Sequence, residues 1–118
     1  MDQQPDQPVT LHELLGRCMG ELDFAHNILQ SFVVTGEQQL QAIREDIHTG
    51  QQAALARKIH RLKGTTATVA ARPLHHSLEN LELLARTAPL EEESLLLQLE
   101  NAMAEFRRVT EFVDSQVV

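Results

Sequence analysis

The chain has 118 residues, a formal net charge of −7, four Phe and no Trp or Tyr. That is the size of one domain, and its aromatic-poor composition argues against an all-β fold. The negative charge provides no general basic field for nucleic acid or anionic lipid. No apolar run approaches the ~18 residues of a membrane span, and the lone Cys18 excludes an internal disulfide.

Residues 1–9 are mostly polar, include Pro5 and Pro8, and are expected to form a disordered tail ahead of one folded unit over 10–118. With neither a basic start nor an apolar stretch resembling a signal peptide, the protein is expected to be cytoplasmic. Thr10 and Glu13 stand at capping-box spacing, opening a short helix over Leu11, Leu14 and Leu15 that stops between Gly16 and Gly20. From Leu22 the apolar residues Ala25, Ile28, Leu29, Phe32, Val33, Leu40, Ile43 and Ile47 follow three-and-four spacing, predicting one long helix that ends near Thr49 and Gly50, with Gly36 as a candidate bend. A helix over about Gln51 to Ala70 should stop before Arg72, because the residue preceding Pro73 is disfavoured in the helical region. Pro73 suits the first turn of the next helix, whose stripe is Leu74, Leu78, Leu81, Leu84 and Ala85. That helix should end around Thr87 to Pro89, and Glu91 to Glu93 suit the start of the last one, over Leu95, Leu99, Met103, Phe106, Val109 and Val113. These patterns predict an all-α protein, an antiparallel four-helix bundle running up-down-up-down, with a short extra N-terminal helix.

The segment from Leu55 to Val69 carries the candidate chemistry. At about 100° per residue, Leu55, Ile59, Leu62, Thr66 and Val69 share one face, and His60 lies on the other. There it is surrounded by Ala53, Ala56, Gly64 and Ala67, with Arg57 and Lys63 at the flanks. Glycine in a helix interior costs roughly 0.8 to 1.0 kcal/mol relative to alanine, so Gly64 needs a reason. Clearing space for another protein's active site to reach the imidazole would be one. A free imidazole titrates near ~6.5 and is mostly neutral and nucleophilic at neutral pH; Lys63, three residues on, is placed to meet an anion at that nitrogen. Between Ile47 and Leu78 there is no Asp or Glu, while Arg57, Lys58, Arg61, Lys63 and Arg72 all fall there. Such a patch on an acidic protein suits docking of an acidic partner or a phosphoryl group.

The run His60-Arg61-Leu62-Lys63-Gly64, followed by Val69-Ala70-Ala71 and then Leu74, Leu78, Leu81 and Glu82, resembles the histidine-containing phosphotransfer (HPt) domain family. Upstream, Leu14, Leu15, Arg17, Phe32, Leu40 and Ile43 extend the likeness over nearly the whole chain. The resemblance implies that His60 is the phosphoacceptor, Lys63 contacts the phosphate and Gly64 provides clearance. It also implies a carrier rather than an enzyme, with Arg57, Arg61, Ala56 and Ala67 meeting the partner. The partners implied are a receiver domain of a hybrid histidine kinase and a response regulator. The resemblance further implies that no cofactor resides in the chain, that Mg²⁺ would come with the receiver, and that the carrier would be a monomer. Ala70 departs from the family, which commonly has Gly there, and Gln51 stands where Asp often opens the helix, weakening the N-cap.

Two other readings stand beside this one. A helical bundle of the same fold could serve as an interaction scaffold without phosphotransfer. A metal- or ligand-binding bundle enzyme is the other, although adjacent His75 and His76 point about 100° apart on a helix and cannot chelate together. No Gly-rich nucleotide loop and no paired carboxylates near a base support a resident catalytic centre.

Overall fold

The computed structural model describes residues 7–87 and 89–115. It contains five helices, α1 (Leu11–Arg17), α2 (Leu22–Thr49), α3 (Gln52–Thr68), α4 (Arg72–Ala85) and α5 (Glu92–Ser115), and no strand among the described residues. Helix α2 packs on α3 and α5, and α4 packs on α3 and α5, so each of the four longer helices packs on two of the other three. The apolar stripes meet in one core that includes Leu29, Leu40, Ile43, Leu55, Ile59, Leu62, Leu74, Leu78, Leu81, Leu95 and Leu99, the outcome that amphipathic periodicity requires. No described helix is long and apolar enough to cross a membrane.

Local chemistry sets the boundaries. Helix α2 ends on Gly50 in the left-handed conformation, φ 69°, its N–H bonded to the Ile47 carbonyl, as glycine permits without a Cβ clash. Pro73 occupies the first turn of α4. Helix α3 stops before Arg72, at Thr68, but Arg72 itself is helical: it is the first residue of α4, with Ala71 as the N-cap. Gly36 does not interrupt α2. A Cβ there would stand 2.6 Å from Phe106 Cε1, so the glycine is a notch for a ring that also packs edge-on against Phe32, with centroids 5.9 Å apart.

The N-terminal expectations need two corrections. Residues 1–6 of the proposed tail lie outside the described residues, but Val9 is only 1% exposed and belongs to the core, because a buried aliphatic side chain is stabilised by roughly 1.5–3 kcal/mol. The Thr10–Glu13 capping box does not form. Thr10 is the N-cap but makes no side-chain cap bond; its N–H donates to the Ala70 carbonyl instead. Glu13 turns to Arg17 and Arg72, and the Arg72 hydrogen bond, with help from Arg17 and against the opposing effect of burial, holds its carboxyl below the usual range. Arg17 also donates from Nη1 to the carbonyls of Ala67 and Thr68 at 2.7 and 3.1 Å. Helix α1 thus closes the C-terminal end of α3, where helical carbonyls lack partners of their own. Just beyond, Ala70 adopts φ 61°, in the left-handed region that favours glycine.

Candidate functional site

Helix α3 places His60 on the outside of the bundle, two-thirds exposed, while Leu55, Ile59, Leu62, Thr66 and Val69 on the other face are buried. Helix α4, packed on α3, brings Glu82 beneath it. Glu82 Oε2 lies 3.0 Å from His60 Nδ1, and Lys63 Nζ lies 2.9 Å from Oε1 in an ion pair. Arg86, the C-cap of α4 four residues beyond Glu82, donates from Nε and Nη2 to Oε2 at 2.9 and 2.7 Å. Glu82 is only 7% exposed. Burial alone would raise its pKa, but the bonds from Lys63, Arg86 and His60 outweigh that and lower it from 4.5 to about 2.

That carboxylate decides the tautomer of His60. An ionised carboxyl group only accepts hydrogen bonds, so the proton of the neutral imidazole sits on Nδ1 and the lone pair on Nε2. No described residue bonds Nε2. The site therefore presents one oriented nucleophilic nitrogen to solvent.

Gly64 is exposed, and a Cβ built on it meets nothing within 4 Å. Neither internal packing nor a positive φ requires glycine at this position, in contrast to Gly36 and Gly50. Ala67 is exposed as well, but Ala56 is 6% exposed. It sits on the same flank of the helical wheel as Lys63, the flank turned towards α4, and so forms part of the packed base rather than an open docking surface.

The acid-free segment is not uniformly free charge. Lys58 pairs with the buried Asp46 at 2.9 Å, Lys63 with Glu82, and Arg72 with Glu13. Among the described residues, Arg57 and Arg61 have no ionic partner, and both are exposed. Arg61 and Lys58, with Gln38, Gln39 and Ala42, line a shallow groove between α2 and α3.

Three of the other five histidines are separately engaged. His75 Nδ1 lies 3.1 Å from the Lys63 carbonyl and 3.2 Å from Thr66 Oγ1, His48 lies 2.9 Å from Glu92, and His76 is 3.9 Å from Glu79. No group of three or more His, Cys, Asp or Glu that could hold a metal occurs among the described residues.

Glu82 and Arg86 are the site residues that sequence reasoning did not assign. The available signal for Glu82 was its place on the apolar stripe, one residue after Leu81, where a carboxylate is buried only with partners. Arg86, a helix-end cation one turn later, gave none.

No curated protein and no solved structure matches the chain significantly. Residues 27–109, which span the His60 helix, the Glu82 helix and most of their two packing neighbours, match the family model described as the Hpt domain. This chain belongs to the Hpt domain family, whose members take part in histidine phosphotransfer within phosphorelays.

Proposed function

We propose that His60 is the phosphoacceptor, taking a phosphoryl group on Nε2 from the aspartyl-phosphate of a receiver domain in a hybrid histidine kinase and passing it to a response regulator. The Nε2 lone pair forms the N–P bond while the P–O bond to the receiver aspartate breaks, and the carboxylate leaves with that electron pair. No proton has to move, because Nε2 carries none. Positive charge develops on the ring as the bond forms, and the Nδ1–H bond to ionised Glu82 stabilises it. The return step is the same path reversed.

The observation that carries this reading is the bond between His60 Nδ1 and Glu82, with Nε2 left towards solvent. Gly64 adds support: a glycine that nothing inside the chain demands fits a surface that another protein must approach closely. Lys63, held at the Glu82 carboxylate in the resting site, would turn to the phosphoryl oxygens once they arrive. Mg²⁺ and the acidic residues that promote transfer would belong to the receiver, leaving this chain a carrier that needs no resident cofactor. Docking would use the α2–α3 groove, with Arg57 and Arg61 at its rim and Ala67 beside His60, on a monomeric up-down-up-down bundle in the cytoplasm.

Incubation with a phosphorylated receiver and Mg²⁺ tests the proposal. The native chain should acquire an acid-labile, base-stable label that His60→Gln does not. Failure to label with a panel of receivers would favour the alternative, a helical scaffold without phosphotransfer, against which the intact His60, Lys63 and Gly64 weigh.

A further inference from the structure

Glu82 Oε2 is shared: it receives His60 Nδ1 at 3.0 Å and both Nε and Nη2 of Arg86 at 2.9 and 2.7 Å. A carboxylate oxygen has two lone pairs, so three donors on one atom compete for the same electron density. The shorter, charge-assisted, paired bonds belong to Arg86. Lys63 meanwhile holds the other oxygen, so the carboxylate is fixed from two sides and does not depend on Arg86 alone for its position.

We infer that Arg86 is a positioning residue that sets the proton affinity of His60, and with it the nucleophilicity of Nε2, by competing for the shared oxygen of Glu82. With Arg86 in place, Oε2 is drawn towards the guanidinium and offers less to Nδ1–H. With it removed, Oε2 serves His60 alone, and the ring becomes a stronger base and a better phosphoryl acceptor. The guanidinium is more than half exposed at the end of α4, so its removal leaves no buried gap. The other charged residues on the two helices near the ring are Arg57, Arg61 and Lys63 on its own helix and the exposed Glu79, three residues before Glu82 on α4. The α2 side presents the Asp46–Lys58 pair, whose charges cancel. The consequence for transfer rests on His60 being the acceptor, but the proton affinity can be measured in the unphosphorylated chain without any receiver.

The test is a two-dimensional NMR titration of the His60 ring nitrogens in the native chain, Arg86→Ala, Glu82→Gln and the double variant. Arg86→Ala should raise the His60 titration midpoint by about 0.5–1 pH unit, an effect of the size that neighbouring groups exert on histidine. It should also move the Nδ1–H resonance downfield, as a stronger hydrogen bond does. In the Glu82→Gln background the same Arg86→Ala change should leave the midpoint almost unmoved, because the shared oxygen's charge is gone. An unshifted midpoint in Arg86→Ala would overturn the inference, and so would an equal shift in both backgrounds, since that marks simple loss of a nearby charge. If Glu82→Gln does not fold, the Nδ1–H resonance decides: unchanged in Arg86→Ala, it too would overturn the inference. A chain that passes this test yet takes no label from receivers would refute the phosphoacceptor reading and leave the Arg86 inference standing.

Discussion

Glu82 reaches across from α4 to place Oε2 3.0 Å from Nδ1 of His60, and that one contact orients the ring of an exposed helical histidine with its other nitrogen free of a described partner. The contact also couples the site to folding. Glu82 has a folded-state pKa lowered from 4.5 to about 2, so its contribution is fully present above about pH 4.5 and is lost as the pH falls towards 2. A shift of that size corresponds to roughly 3 kcal/mol. Urea unfolding of the native chain and Glu82→Gln, followed between pH 7 and 2, should therefore show a stability gap that closes below pH 4.5. A gap independent of pH would mean that the carboxylate is not held by its cations. Glu13, also held below its usual range, is retained in both chains, so the comparison cancels its contribution.

Gly64 and Gly36 should respond in opposite directions to the same substitution. Gly64→Ala adds a methyl group in open space and should stabilise the helix by up to ~1 kcal/mol. Gly64→Gln should leave the helical circular-dichroism signal intact and slow phosphotransfer at least tenfold. Gly36→Ala drives a methyl into Phe106 and should cost about 1–3 kcal/mol. Thermal melts separate the two glycines; undiminished transfer in Gly64→Gln would show that the partner does not need the clearance.

Among the described residues, two other than glycine have positive φ, Met19 at 56° and Ala70 at 61°. Left-handed backbone costs a residue with a Cβ roughly 1–2 kcal/mol. Met19 is 90% exposed, so Met19→Gly gives up almost no packing and should raise stability by about 0.5–1 kcal/mol. Ala70 is buried, and the loss of its methyl group, worth about 0.8 kcal/mol, should leave Ala70→Gly close to neutral. Equal gains at both positions in denaturant titrations would contradict this accounting of burial against strain.

The basic residues of α3 should divide by role. Arg57→Ala with Arg61→Ala should weaken receiver docking severalfold, an effect that fades above ~0.5 M salt as screening shortens the reach of charge, while the melting temperature stays put. Lys58→Ala leaves Asp46, a mostly buried carboxylate, without its cation and should cost stability by about 1–3 kcal/mol. Transfer kinetics at two ionic strengths, paired with melts, check both halves. A salt-independent loss in the double variant would remove electrostatics from docking.

The helices were legible because periodicity, Pro73 and Gly50 are local signals, and the exposed His60 followed from counting around one helix. Missed features lie where distant segments meet. Val9 looked like tail because its neighbours are polar, yet it fills the core. The Thr10–Glu13 spacing promised a local cap, but Arg17 and Arg72 offer Glu13 stronger, charged partners. Ala56 looked like open surface beside His60 until α4 packed along that flank.

Sequence alone determined the all-helical architecture, the face on which His60 stands and the absence of acid from Ile47 to Leu78. Only the tertiary structure decided what that charge does. Folding carries Glu13, Asp46 and Glu82 from outside the segment onto Arg72, Lys58 and Lys63, leaving Arg57 and Arg61 as its cations without an ionic partner among the described residues. The physical reason is one of range: helical periodicity is written in neighbouring residues, whereas neutralising a cation and orienting an imidazole depend on which carboxylate another helix delivers within hydrogen-bond distance.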